Sequence, residues 1–82
     1  MDKKLEARFF DEFVNPFNEN GLTEKEMDVF FDKNRKLYLD VTEKAIEEKS
    51  YDFFCKRIKN KWYFICLPVQ YISITKILVR KL

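Results

Sequence analysis

The stretch 51–79 constrains this chain most. It is dense in aromatic and β-branched residues, and its main polar break is Lys59-Asn60-Lys61. Such residues fit a pleated surface, and an Asn-containing break between two such runs signals a hairpin. With Asn60-Lys61 as the turn pair, Lys59 faces Trp62, Arg57 faces Phe64 and Cys55 faces Cys66, with Phe53 continuing that face. Ile58/Tyr63, Lys56/Ile65 and Phe54/Leu67 then lie on the other. After Pro68 a third strand is expected. Ile72 and Ile74 alternate, the phase breaks at Thr75-Lys76, and a bulge there would restore Ile77 and Val79 to the inward set.

The first fifty residues read as helical. Asp2 can cap a first helix whose stripe is Leu5, Phe9 and Phe13, widened by Phe10 and Val14, with Glu6, Arg8, Asp11 and Glu12 toward water. Asn15-Pro16 is expected to stop it, and Gly21, the only glycine, to supply a positive φ before the next element. Thr23 and Glu26 form a capping box and Leu22 and Met27 a staple, opening a helix with Met27, Phe30, Phe31 and Asn34 inward. A third helix is expected from Asp40 or Thr42, with Ala45 and Ile46 facing the core. Its period can be followed through Phe53/Phe54 to Arg57/Ile58, but the aromatic content favours strand from about Ser50.

The expected architecture is therefore α+β: a single domain over residues 1–82, with two or three N-terminal helices packed on a C-terminal three-stranded antiparallel β-meander. Nine Phe, four Tyr and one Trp supply large contact areas for a short chain. Residues 1–50 carry nine Lys/Arg against thirteen Asp/Glu, a balance of −4, and residues 51–82 carry seven against one, a balance of +6. An acidic helical half thus joins a basic strand-rich half. The first apolar residues are interrupted by charges, and the longest uncharged run, Trp62 to Thr75, has 14 residues and contains Pro68. Neither a secretory leader nor a membrane span is expected, and two cysteines without such a leader point to a reducing cytoplasmic setting.

Catalytic chemistry is poorly supplied. There is no histidine, one glycine rules out phosphate-loop and dinucleotide fingerprints, and Cys55 and Cys66 lack the partners a zinc site needs. No catalytic residue, metal or cofactor is expected. The cluster Lys56, Arg57, Lys59, Lys61, Trp62 and Tyr63 is the main candidate site: cations meet phosphates or carboxylates, and aromatics stack or anchor. A second candidate is an acidic helical face of Glu24, Asp28, Asp32, Glu43 and Glu47. Each has a plain counterpart: long side chains covering aromatic surface at a hairpin tip, and ordinary surface ion pairing.

The helix–helix–hairpin order resembles that of winged-helix DNA-binding domains. The resemblance would make 24–36 the support helix, 42–49 the recognition helix and 57–62 the wing. Glu43, Glu47 and Glu48 depart from it, because they would turn carboxylates toward phosphates. The favoured function is a non-enzymatic protein-interaction module, a stoichiometric inhibitor or regulator of a larger, nucleic-acid-processing protein of the kind viruses and plasmids encode. The alternatives are nucleic-acid binding through 56–64 and a homodimeric structural subunit pairing through an uncovered sheet edge.

Overall fold

The computed structural model describes residues 1–69 of the 82. Asp2 caps α1 (Lys3–Phe9), its carboxylate accepting the Lys4 N–H at 2.9 Å. A π-helical turn (Phe10–Val14) and α2 (Asn15–Asn20) continue the same run in αR conformation, so Pro16 does not end the helix. The correction has a local cause. The Asn15 N–H donates to the Phe10 carbonyl, five residues back, and this wider turn ends just before Pro16, which then occupies the first turn of α2. A proline there lacks only a donor that a helix start leaves unused.

The wide turn also aligns the core. Positions four apart drift by roughly 40° around an α-helix, and a turn that winds less per residue takes back part of that drift. Phe9, Phe13 and Phe17 consequently share one line and are all but fully buried. Complete burial of each ring is worth about 1.5–3 kcal/mol.

Thr23 opens α3 (Glu24–Lys33) with the expected reciprocal capping box, and the Glu26 N–H to Thr23 Oγ1 distance is 3.3 Å. Only Asn34 separates α3 from α4 (Arg35–Glu48), so Asp40 and Thr42 lie inside a helix rather than at its start. The Asn34 amide donates to the Phe30 carbonyl at 3.0 Å and so satisfies the end of α3 at this corner. Leu37, Val41 and Ala45 form the buried stripe of α4. Ile46, one residue further round, is 71 % exposed, contrary to the expected inward position. Lys49, left-handed at φ 51°, stops α4, and the strand begins at Tyr51 as expected.

Strands β1 (Tyr51–Ile58) and β2 (Lys61–Pro68) form an antiparallel sheet of two strands among the described residues, which corrects the expected three-stranded meander. Ile72, Ile74, Ile77 and Val79, assigned to the third strand, and the bulge at Thr75-Lys76 lie outside the described residues. The turn pair is Lys59-Asn60, at φ 48° and 70°, the signs of a type I′ turn, and not Asn60-Lys61. Arg57 therefore pairs with Trp62, Cys55 with Phe64 and Phe53 with Cys66. Every partner moves by two positions, so each side chain keeps its expected face.

The helices pack beneath one face of the hairpin. Phe64 is 2 % exposed and lies 5.0 Å, centroid to centroid, from Phe13, with Phe9, Phe17, Phe31, Tyr38 and Phe53 around it. Phe53, Cys55, Trp62 and Cys66 join this core from the same face.

Candidate functional site

Trp62 and Phe64 explain how the hairpin is held. The Leu22 N–H donates to the Trp62 carbonyl at 3.0 Å, and the Trp62 N–H donates to the Leu22 carbonyl at 2.7 Å. Two residues on, the Asn18 amide plays the part of a strand: its Nδ2 donates to the Phe64 carbonyl at 2.7 Å and its Oδ1 accepts the Phe64 N–H at 2.6 Å. The outer edge of β2 is thereby closed from Trp62 to Phe64.

This clamp selects the register. Trp62 and Phe64 can offer their backbone groups outward only if both sit in non-hydrogen-bonded cross-strand pairs. The Lys59-Asn60 turn provides that, whereas an Asn60-Lys61 turn would direct the same groups at β1. Alternation then points the backbone groups of Tyr51, Phe53, Cys55 and Arg57 away from β2, toward the edge of β1 that has no strand beside it among the described residues. One of them is covered: the Phe53 N–H donates to Asp52 Oδ1 at 3.1 Å.

The face turned away from the core carries Asp52, Phe54, Lys56 and Ile58 on β1, opposite Leu67, Ile65, Tyr63 and Lys61 on β2. Lys56 lies directly across from Tyr63, and Phe54 from Ile65. Gly21 seats the basic end of this face. At φ 69° it approaches so closely that a Cβ would fall 2.9 Å from both Lys61 Cβ and Tyr63 Cζ. The site is thus graded, apolar at its base and aromatic and basic at its tip.

The six residues singled out in the hairpin are divided between two faces. Lys56, Lys61 and Tyr63 share the outer one, Lys59 occupies the exposed turn, and Arg57 is exposed with its Nη2 3.2 Å from Asn60 Oδ1. Trp62 is half-buried and turned inward against the core. Glu24, Asp28 and Asp32 are exposed along α3, the last two in a groove they share with Arg35. Glu43 and Glu47 are exposed on α4, with Glu47 3.9 Å from the Lys44 ammonium. Phe54, Ile65, Leu67 and the supporting Asn18 were not among the expected site residues. The first three were legible as partners of Lys56 on one face, while Asn18 in a polar Asn-Glu-Asn run gave no signal.

Burial raises the titrating groups at the hairpin's inner base. Burial, aided by the Glu6 and Asp52 carboxylates, pushes the Cys66 thiol up to about 12, and burial also raises that of Cys55. Burial and a hydrogen bond to Glu6 raise the Tyr51 hydroxyl to about 12. Both thiols are free, since the register that would oppose them is not the one formed. Among the described residues no group of three His, Cys, Asp or Glu could hold a metal ion, and no helix is long and apolar enough to cross a membrane.

Among the described residues the fold is that of a small α+β protein in which three helical segments back a two-stranded hairpin. No family model matches the chain, and comparison with the curated proteins and with the solved structures finds no match either.

Proposed function

We propose that this protein is a non-enzymatic binding module whose working surface is the outer face of the hairpin, and that its partner is a protein presenting an apolar patch rimmed by carboxylates. The supporting observation is the composition of that face. Among the described residues the half-buried Phe54, Ile65 and Leu67 take no part in the core cluster, which draws its hairpin side chains from the opposite face. Beside them stand Lys56, Lys61 and Tyr63, with Lys59 and Arg57 at the tip. Aromatic and basic anchors around an apolar centre are typical of interface cores. The role in view is stoichiometric inhibition or regulation of a larger protein. Nucleic acid is the less favoured partner, because Trp62 is turned inward and the aromatics left on the outer face, Tyr63 and Phe54, stand among the aliphatic Ile65 and Leu67.

The test begins with capture by immobilised protein at low and high salt, with and without nuclease, followed by titration of each purified candidate. Stoichiometric binding that survives nuclease and high salt, and is weakened at least tenfold by Phe54→Glu or Ile65→Lys with circular dichroism unchanged, supports the proposal. Binding to a single-stranded oligonucleotide with a steep salt dependence, lost on Lys56→Gln and Lys61→Gln but kept in Phe54→Glu, would overturn it in favour of nucleic acid.

A further inference from the structure

We infer that the edge of β1 away from β2, beside which no described strand lies, is a self-association edge, on which a second copy of this chain pairs antiparallel to form a four-stranded sheet β2-β1-β1-β2. Edge and face are distinct surfaces that share Phe54 and Lys56, and pairing through the edge requires no partner on the face. The two edges are treated differently by the fold. That of β2 is closed by Leu22 and Asn18, whereas β1 has no strand beside it among the described residues. Unpaired edge groups are a template for another strand.

Symmetry restricts the register. A two-fold axis normal to the sheet keeps each face on its own side, so paired residue numbers must have the same parity. The outward backbone groups belong to the odd positions, which must form the hydrogen-bonded pairs. Centring the axis on Phe54 pairs Phe53 with Cys55 and Tyr51 with Arg57, and offers about eight main-chain hydrogen bonds. It also sets Asp52 of each copy opposite Lys56 of the other, twice, and Phe54 opposite its own copy. Centring on Cys55 instead sets Phe54 against Lys56 and Asp52 against Ile58, and centring on Phe53 sets Lys56 against Ser50. Only the Phe54 register matches opposite charges.

The helices leave room for it. Ring contacts of Phe9 with Phe53 and of Phe10 with Tyr51 place the first helical segment under the N-terminal end of β1. In the paired arrangement the two copies of Tyr51 lie six residues apart along the strands, about 20 Å at roughly 3.3 Å per residue. The two segments therefore sit at opposite ends of the joint sheet. In the free chain the Asp52 carboxylate engages the Phe53 N–H. On pairing, that N–H passes to a strand carbonyl and Asp52 turns to Lys56 of the second copy.

Sedimentation equilibrium of the purified chain from micromolar to millimolar concentration tests this, together with a charge swap and a cross-link. The expected result is a concentration-dependent dimer, weakened about tenfold or more by Lys56→Asp or by Asp52→Lys, because each sets like charges opposite one another twice. The double variant should restore it. In a Cys55→Ser/Cys66→Ser background, Phe54→Cys should give a disulfide-linked dimer on mild oxidation and Ile58→Cys should not, since directly opposed non-hydrogen-bonded positions lie within disulfide reach. A monomer at every concentration, or a dimer indifferent to all three charge variants, would overturn the inference. So would cross-linking at Ile58 in preference to Phe54. A monomer that still binds a protein partner through Phe54 and Ile65 would overturn only this inference and leave the face proposal standing.

Discussion

Replacing Asn18 by aspartate exchanges one donor for an acceptor at a clamp that needs both. The Phe64 N–H would keep its acceptor, but the Phe64 carbonyl would lose its donor and face a carboxylate in a half-buried site. Leaving a buried backbone group without its partner costs about 1–3 kcal/mol, and desolvating the new charge adds to that. A loss of about 2–4 kcal/mol is expected at pH 7, against a total of roughly 4–12 kcal/mol for a chain of this length. Protonation should reverse most of it, because a neutral carboxyl can donate to the Phe64 carbonyl while accepting the Phe64 N–H. The sign follows directly. The folded state favours the protonated form, so the introduced group's pKa is raised above its unfolded value of about 3.9. Its stabilising contribution is fully present below about pH 4 and is lost as pH rises through the raised value. Urea unfolding of Asn18→Asp and wild type at pH 3 and pH 7 measures this, with Asn18→Ala as a control whose cost should not change with pH. Equal cost for Asn18→Asp at both pH values, or a greater cost at pH 3, would refute the role assigned to the amide donor.

Gly21→Ala should cost about 2–5 kcal/mol in the same assay, since a non-glycine residue at φ 69° and ψ 160° is strained and its Cβ would press on Lys61 Cβ, which cannot move without β2. A loss below 1 kcal/mol would show that the Leu22–Trp62 bridge is not rigid. Thr23→Ala should lose about 0.5–2 kcal/mol by removing the α3 cap, read as a shift in urea midpoint with unchanged slope. Cys66, raised from 9.0 to about 12, should have a thiolate population at pH 8 about a thousandfold below that of an unperturbed thiol, so Ellman's reagent should label it slowly until the protein is unfolded. The same shift makes Cys66 favour folding fully below about pH 9, a contribution lost as pH rises toward 12, so wild-type stability should fall across that window.

Elements whose signals are local were legible in the sequence. The Asp2 cap, the Thr23–Glu26 capping box, the positive φ of Gly21 and the start of β1 after Ser50 each depend on residues within one or two turns. Pro16 carries a local stop signal through its missing donor, but the π turn before it removes the need for one. The hairpin turn was undecidable locally. Lys59-Asn60 and Asn60-Lys61 hold the same two residue types and leave every side chain on the same face, so neither propensity nor amphipathic pattern separates them. What separates them is Asn18, 46 positions from Phe64. The inward position of Trp62 is independent of that choice: both registers place it on the face of Phe53 and Phe64, and what decides that this face is the inner one is the helical core packed against it.

Asn18, Gly21 and Leu22 thus do more than join α2 to α3. By engaging the backbone of Phe64 and Trp62, Asn18 and Leu22 hold those residues in non-hydrogen-bonded pairs, and that choice fixes which residues of β1 direct their backbone groups away from β2. Gly21, packed against Lys61 and Tyr63, fixes the basic end of the outer face at the same time. The two proposed surfaces therefore share one support. A variant that loosens the clamp without unfolding the chain, such as Asn18→Ala, should weaken both partner binding and dimerisation, whereas Phe54→Glu removes an anchor from one and the axis residue from the other. Lys56→Asp and Asp52→Lys together should leave dimerisation intact while moving positive charge from the tip of the outer face toward its base. A partner held by the tip cations should then be lost while the dimer persists, and that dissociation would separate recognition from assembly on a single hairpin.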